Sequence, residues 1–211
     1  MSVSVKICGL SEPNSLTASI ESGADFIGLV FYPPSPRNVD IECAKYLTSF
    51  IPKNVNVVGL FVNPDDTFLT NVLHEVPLTH IQLHGSETAI RVQEIKNKFK
   101  RPVIKSFPIE TAQDLEAITP YEGTADWFLF DAKAEKLPGG NGIAFDWNIL
   151  KDFTTQTPWM LAGGLNPENV SEALKIISPN AVDVSSGVET KTAGEKDSDK
   201  IRSFISAVKQ A

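Results

Sequence analysis

Eight short runs of strand-forming residues recur at near-regular intervals, and this repetition constrains the fold more than any other feature of the sequence. The runs span residues 3–8, 26–31, 55–62, 79–83, 102–107, 127–131, 158–162 and 181–185. Each is nearly continuous in apolar side chains, as expected for parallel strands that are covered on both faces. Successive runs start 23 to 31 residues apart, which is the length of one strand, one helix and two loops. The pattern therefore predicts an alternation of strands and helices.

The segments between the runs carry helical spacing and capping residues. Asp40 precedes apolar residues at 41, 44, 47 and 51, a spacing that lines one face of a helix. Asn63 and Asn166 each stand before a proline, which predicts a capping side chain followed by proline at the first helical position. Gly23 stands where the first helix should end. Further helix starts are predicted at Ser86, Thr111, Asp146 and Asp197.

Eight such units in 211 residues, with no compositional break, close most simply as a barrel. The sequence therefore predicts an α/β protein made of one domain, a (β/α)₈ TIM barrel over residues 1–211. An open, doubly wound sheet is the alternative. Because the active sites of such barrels lie at the carboxyl ends of the strands, functional residues are sought just after each run.

Charge and cysteine content narrow the range of partners. A net charge of −7, a pI near 5.0 and no basic cluster argue against nucleic acid as a partner. The apolar runs are far shorter than the roughly 20 residues of a membrane span, and the N-terminus has no signal-peptide pattern. We therefore expect a cytoplasmic protein without a membrane partner, and a monomer, since no helix shows a surplus apolar stripe. Cys8 and Cys43 are too few for a disulfide framework, so both are expected to be free thiols.

Two glycine-rich segments, LAGGL at 161–165 and VSSGV at 184–188, follow the seventh and eighth runs. Small residues at these two ends leave backbone N–H groups accessible, which is typical of a phosphate site in a barrel. Either segment alone is better explained as a tight turn. Together they favour a phosphate site with the candidate residues Gly163, Gly164, Ser185, Ser186 and Gly187.

Cys8 ends the first run, and Lys6 shares its face of the strand because the two residues are two positions apart. A free cysteine is usually only a small buried hydrophobe. An inward lysine, however, requires a counter-charge, and Asp183 on the eighth strand is a plausible one. We therefore predict a Lys6–Asp183 pair beneath the site, with Lys6 also favouring the thiolate form of Cys8.

Three more polar residues follow other runs. Asp131 comes after the apolar residues 127–130 and is either a helix cap, a partner for Lys133, or a buried carboxyl group whose burial favours the protonated form that a general acid needs. Arg37 lies in a proline-stiffened loop and is suited to gripping a planar carboxylate. His84 is interpreted as a base, a substrate donor or a packed residue at a strand end, with the structural interpretation slightly favoured.

Taken in order, these segments resemble the phosphoribosylanthranilate isomerase family of tryptophan biosynthesis over nearly the whole chain. The matching motifs are KICG at 6–9, GLVF at 28–31, SPR at 35–37, VGLFVN at 58–63, QLHG at 82–85, FD at 130–131, GGNG at 139–142, FDW at 145–147, LAGGL at 161–165 and DVSSGVE at 183–189. Each motif alone is weakly specific, whereas the ordered set is strong. Asn141 departs from the family, which more often has threonine there, and this bears on the details of the sixth loop.

The resemblance implies an isomerase that needs neither metal nor organic cofactor. Its reaction is the Amadori rearrangement of N-(5-phosphoribosyl)anthranilate to 1-(2-carboxyphenylamino)-1-deoxyribulose 5-phosphate. In this family's terms Cys8 is the general base, ionised at the start, and Asp131 is the general acid, protonated at the start. Arg37 holds the anthranilate carboxylate, the two glycine-rich ends bind the phosphate, and Asp183 contacts sugar hydroxyls. The sequence itself also predicts no metal site, because no His, Cys or carboxylate residues have the spacing of metal ligands.

Two other functions stay open on the residues alone. A neighbouring phosphosugar isomerase or epimerase could use the same barrel and phosphate site. A protein that only senses a phosphorylated ligand, without catalysis, is the alternative from another functional class.

Overall fold

Eight parallel strands close into a barrel in the computed structural model, which describes residues 3–132 and 146–211. Their order around the barrel is their order in the sequence, which confirms the (β/α)₈ prediction and rules out the open sheet. Each predicted run is a strand whose bounds agree within two residues. The strands are β1 (Ser4–Cys8), β2 (Phe26–Phe31), β3 (Asn56–Phe61), β4 (His80–Leu83), β5 (Val103–Ile109), β6 (Trp127–Ala132), β7 (Trp159–Leu161) and β8 (Ala181–Val184).

Helices follow the strands on the outside of the barrel. The described α-helices are α1 (Pro13–Ser22), α2 (Ile41–Thr48), α3 (Asp66–Glu75), α4 (Ala89–Phe99), α5 (Val170–Ile176) and α6 (Ser198–Gln210). Shorter 3₁₀ segments lie at Ala112–Tyr121, Trp147–Leu150 and Ser186–Val188. None of the helices in residues 3–132 and 146–211 combines the length and the apolar character that a membrane span requires.

Two buried clusters fill the fold. The larger one lies between the strands and the surrounding helices. The smaller one takes residues from six of the eight strands and from Ala162 just after β7, as expected for side chains that fill the barrel interior. Its members are Phe26, Val58, Ile104, Leu129, Met160, Ala162 and Ala181. The interior of the barrel is therefore filled by an apolar layer, and polar side chains lie between this layer and the carboxyl ends of the strands.

Strand register brings the first and last strands together at the site. Lys6 of β1 pairs in register with Asp183 of β8, and Cys8 lies opposite Gly28 of β2. A Cβ atom at Gly28 would lie 2.8 Å from the Cys8 Sγ, so a side chain there would displace the thiol. Both Cys8 and Cys43 are free thiols, as expected.

Several predicted helix boundaries are confirmed. The Asp40 side chain accepts a hydrogen bond from the Cys43 N–H at the start of α2, and α6 follows Asp197, whose carboxylate accepts two backbone N–H groups. Gly23 ends α1 in the left-handed conformation, with φ of 90°. Thr111 and Asp146 precede 3₁₀ segments.

Other predicted boundaries are wrong by two or three residues. Helix α3 is capped by Asp65, because the Asn63 side chain instead accepts the Ser86 N–H and joins two loops. Thr88, and not Ser86, caps α4. The side chain of Asn166 caps a turn at residues 167–169, and α5 begins after it. The predicted features of Lys133, the GGNG motif and Asn141 lie outside the described residues.

Candidate active site

A cavity opens at the carboxyl ends of the strands, where the fold predicts an active site. Its lining includes Cys8, Arg37, His84, Asp131, Asp183 and Ser185. A second cavity adjoins it and is lined by Asp131, Gly163, Gly164, Asp183, Ser185 and Ser186, among others. Asp131, Asp183 and Ser185 line both. The structure therefore brings nearly all the predicted site residues together around two connected spaces.

Gly187 is the exception, since it lines neither cavity. A Cβ atom at this position would collide with the Leu165 carbonyl oxygen. Glycine is therefore needed for the loop after β8 to approach the loop after β7. Its visible role is to bring the two glycine-rich ends together.

The predicted pair of Lys6 and Asp183 is confirmed. The Lys6 side chain is fully buried, and its Nζ lies 2.9 Å from the Asp183 Oδ1. Burial disfavours the charged ammonium, but the charges of Asp183 and Cys8 outweigh burial and raise the pKa of Lys6. Lys6 is therefore a permanent cation beneath the thiol.

The net effect on Cys8 differs from the prediction. Burial is the largest influence and raises the pKa of the Cys8 thiol. Lys6 and Lys196 act in the opposite direction, as predicted for Lys6, while the Asp183 carboxylate adds to the rise. Lys6 favours the thiolate, as predicted, but desolvation exceeds the attraction of the nearby cations, so the net pKa of the thiol is raised instead of lowered.

Asp131 lies at the end of a row of polar side chains. His84 Nε2 is 3.4 Å from the Asp131 Oδ2, and His84 Nδ1 is 3.1 Å from the Gln82 Nε2. The Gln82 Nε2 also donates to Ser106 Oγ at 3.3 Å. His84 therefore contacts the candidate acid and does more than pack at a strand end.

Sequence reasoning missed Gln82, which is fully buried and lines the main cavity. Among the described residues its Oε1 has no hydrogen-bond partner. An available signal was the amide in the middle of an apolar strand, two positions before His84 and thus on the same face. In this orientation of the Gln82 amide, both hydrogens of Nε2 are donated and only the oxygen is unpaired. If the amide were rotated by 180°, both of its N–H donors would be unpaired instead.

Arg37 binds a carboxylate of the protein itself, that of Glu189. Its Nε and Nη2 donate to the two oxygens of Glu189 at 2.6 and 3.0 Å. Lys196 Nζ also donates to Glu189 Oε1, at 2.9 Å. Burial opposes ionisation of Glu189, but the bonds and charges of Arg37 and Lys196 prevail and lower its pKa. The predicted bidentate geometry is present, with Glu189 as the partner.

A second buried pair fixes the loops beside His84. Lys105 Nζ lies 3.0 Å from Glu87 Oε2 and 2.7 Å from the Gly85 carbonyl oxygen. Glu87 in turn accepts the Asn63 N–H at 2.7 Å. These contacts join the loops that follow β3 and β4, so His84 projects from a rigid support. Within residues 3–132 and 146–211, no group of three His, Cys, Asp or Glu side chains could hold a metal ion.

Comparison with known proteins gives consistent matches. The protein-family model described as N-(5'phosphoribosyl)anthranilate (PRA) isomerase matches residues 5–207 of this chain. N-(5'-phosphoribosyl)anthranilate isomerase of Paramagnetospirillum magneticum is 52% identical over 212 residues, which cover 99% of this chain and 98% of that protein. The Paracoccus denitrificans protein of the same name is 52% identical over 208 residues, with 97% and 96% covered.

Solved structures agree. Phosphoribosyl anthranilate isomerase from Thermotoga maritima has a TM-score of 0.89 at 37% identity, with 99% of this chain and 100% of that chain covered. Another structure of such an isomerase contains reduced 1-(o-carboxyphenylamino)-1-deoxyribulose 5-phosphate and has a TM-score of 0.85 at 37% identity, with the same coverage. With its barrel, its cavity and these relatives, the chain belongs to the N-(5'-phosphoribosyl)anthranilate isomerase family.

Proposed function

We propose that the chain converts N-(5-phosphoribosyl)anthranilate to 1-(2-carboxyphenylamino)-1-deoxyribulose 5-phosphate, a step of tryptophan biosynthesis. One observation carries the proposal: Cys8 and Asp131 line one cavity, and Asp131 also lines the adjoining cavity of the glycine-rich loops. A sugar whose phosphate lies in the second cavity extends its ring toward both groups. The bound compound in the related structure is a reduced form of this product.

Asp131 acts first, as the general acid. Its carboxyl proton passes to the furanose ring oxygen, the bond from that oxygen to C1' breaks, and the nitrogen lone pair forms an iminium. Asp131 ends this step as a carboxylate. His84 Nε2, at 3.4 Å, carries a hydrogen when Gln82 donates to its Nδ1, and that hydrogen faces the carboxylate.

Cys8 acts second, as the general base. Its thiolate removes the proton from C2', and the electrons of that C–H bond form an enolamine as the iminium is neutralised. A proton shift from the C2' hydroxyl group to C1' then gives the ketone. Lys6, held by Asp183, favours the thiolate throughout.

The other candidates hold the substrate. The backbone N–H groups of Gly164, Ser186 and Gly187 are the proposed phosphate donors, and Gly163 gives the first loop its turn, with φ of 82°. Arg37 stands at the wall of the main cavity, where it is the proposed contact of the anthranilate carboxylate. Its Nε and Nη2 are directed to Glu189, which fixes the guanidinium plane.

We propose further that the reaction needs no cofactor and that the chain acts as a monomer in the cytoplasm. Asp131 supplies the acid for ring opening and Cys8 the base for the C2' proton, and the final proton shift is a tautomerisation, so the chemistry asks for no other group. A Thermotoga maritima relative is described as dimeric, so size-exclusion chromatography with light scattering is the direct test of the monomer.

The deciding experiment follows the loss of phosphoribosylanthranilate fluorescence with purified protein, with and without a chelator. Equal turnover in both conditions is expected. Absence of turnover in both would overturn the proposed reaction, and turnover abolished by the chelator would overturn its independence of metal. Tight product binding without turnover would point to the ligand sensor.

A further inference from the structure

Lys196 carries a buried charge that the proposed chemistry does not use. Its side chain is 1% exposed, and its Nζ donates to the Ser185 carbonyl oxygen, the Ser185 Oγ and Glu189 Oε1 at 2.9, 3.1 and 2.9 Å. Burying an ammonium group is costly unless it is paired and hydrogen-bonded. Here all three of its donors have partners, so the group is held in one place.

Ser185 connects this buried cation to the site, because it lines both cavities. The carbonyl of Ser185 and the N–H of Ser186 belong to one planar trans peptide unit and point in opposite directions. Lys196 Nζ and the Val188 N–H both donate to this carbonyl, at 2.9 and 3.3 Å, and neither residue lines either of the two cavities. The Ser186 N–H is directed the other way, and Ser186 itself lines the second cavity.

The loop after β7 shows the same arrangement with a neutral side chain. Asn169 Nδ2 donates to the Gly164 carbonyl oxygen at 2.9 Å. The next N–H, that of Leu165, is directed away from Asn169, and Leu165 also lines the second cavity. Each glycine-rich loop thus has one carbonyl held from behind, which keeps an oxygen that would repel an anion out of the cavity.

Charge distinguishes Lys196 from Asn169. Lys196 carries an ammonium group, which binds the Ser185 carbonyl at 2.9 Å, whereas the amide of Asn169 is neutral. Because Ser185 lines both cavities, the ammonium attracts an anion bound in either of them.

We propose that Lys196 is a positioning residue of the phosphate subsite, which fixes the Ser185 peptide so that the Ser186 N–H faces the bound phosphate. The inference rests on the phosphate subsite of the proposed function. Glu189 holds Lys196 in place and links it to Arg37, because both side chains donate to the same oxygen, Glu189 Oε1.

The test replaces Lys196 by methionine, which fills similar space without donors. Lys196→Met leaves Arg37 and Glu189 as a neutral pair, so the variant is expected to fold. Lys209→Met is the matched control, because Lys209 lies on α6 and donates to the exposed Ser22 carbonyl. The probe is inorganic phosphate, titrated by ³¹P NMR line width, with circular dichroism as the check on folding.

Lys196→Met should weaken phosphate binding about tenfold or more, the scale of a lost hydrogen bond to a charged group, while Lys209→Met changes it by less than about twofold. A purely structural role would lower the unfolding temperature and leave the phosphate affinity of the folded protein unchanged. That result overturns the proposal. If Lys196→Met does not fold, Lys196→Gln, one bond shorter and unable to reach Ser185, carries the same expectation.

The proposed function and this inference can fail separately. Wild-type protein that binds phosphate but does not turn over phosphoribosylanthranilate overturns the reaction, and the Lys196 comparison still decides the inference. Wild-type protein that binds no phosphate overturns the subsite, and the role of Lys196 with it.

Discussion

Removal of the Lys6 ammonium tests how the interior of the barrel tolerates charge. Lys6 is fully buried, and Asp183, its partner at 2.9 Å, is almost fully buried. Lys6→Met keeps the length of the side chain but leaves the carboxylate of Asp183 without its ammonium. Breaking a buried pair from one side costs about 3–5 kcal/mol. Typical domains are stable by about 5–15 kcal/mol, so the variant should remain folded at 25 °C but with much of its stability lost.

The double variant Lys6→Met with Asp183→Asn separates the charge from the packing. Replacing both members of a buried pair by neutral groups is often nearly neutral in stability. The double variant should therefore recover at least about half of the loss seen with Lys6→Met alone. If the loss came from poor packing of methionine, the second substitution would add to it.

Urea unfolding followed by far-ultraviolet circular dichroism measures these losses, provided that the slope m is unchanged among the variants. Lys45→Met is the matched control, since Lys45 and Glu75 are also 2.9 Å apart but lie at the surface. Exposed pairs contribute little. A loss for Lys6→Met no larger than that of the control would refute the reasoning.

Three further predictions concern the site residues. Cys8→Ala and Asp131→Asn should each lower kcat about 10² or more with unchanged circular dichroism, and a variant that keeps most of the rate loses its assigned role. Arg37→Ala should chiefly raise KM in the fluorescence assay; an unchanged KM with a lower unfolding temperature would assign Arg37 a structural role, such as its contact with Glu189. Because burial raises the pKa of the Cys8 thiol, the rate of its alkylation by iodoacetamide in a Cys43→Ser background should increase by up to about tenfold per pH unit above pH 7, and a rate that is already constant there would contradict the raised pKa.

The barrel could be predicted from the sequence because its signal repeats eight times and each strand is a local feature. The same local geometry predicted part of the site. Residues two apart on a strand share a face, which placed Lys6 beneath Cys8, and the closure of β8 against β1 placed Asp183 beside Lys6.

Contacts between distant loops could not be predicted in this way. Arg37 and Glu189 are separated by 152 positions, and the residues around each of them give no sign that the two side chains will pair. Asn63 has the local pattern of a helix cap, yet its side chain binds the Ser86 N–H of another loop. In both cases a tertiary hydrogen bond takes the side chain that a local rule assigns elsewhere.

Cys8 shows why the sign of a pKa shift is harder to predict than the position of a residue. The burial that forces Lys6 to pair with Asp183 also removes water from the thiol, and the carboxylate cancels part of the lysine's field. A thiolate formed against this opposition is a stronger base, although less of it is present at neutral pH. In the proposed mechanism, proton transfer from Asp131 creates a cationic iminium in the same cavity before Cys8 acts. The iminium acidifies the C2' proton by withdrawing electrons through the adjacent C1', while the Asp131 carboxylate formed in the same step balances its charge. The C2' proton of the closed sugar lacks this activation, so the acid must act before the base.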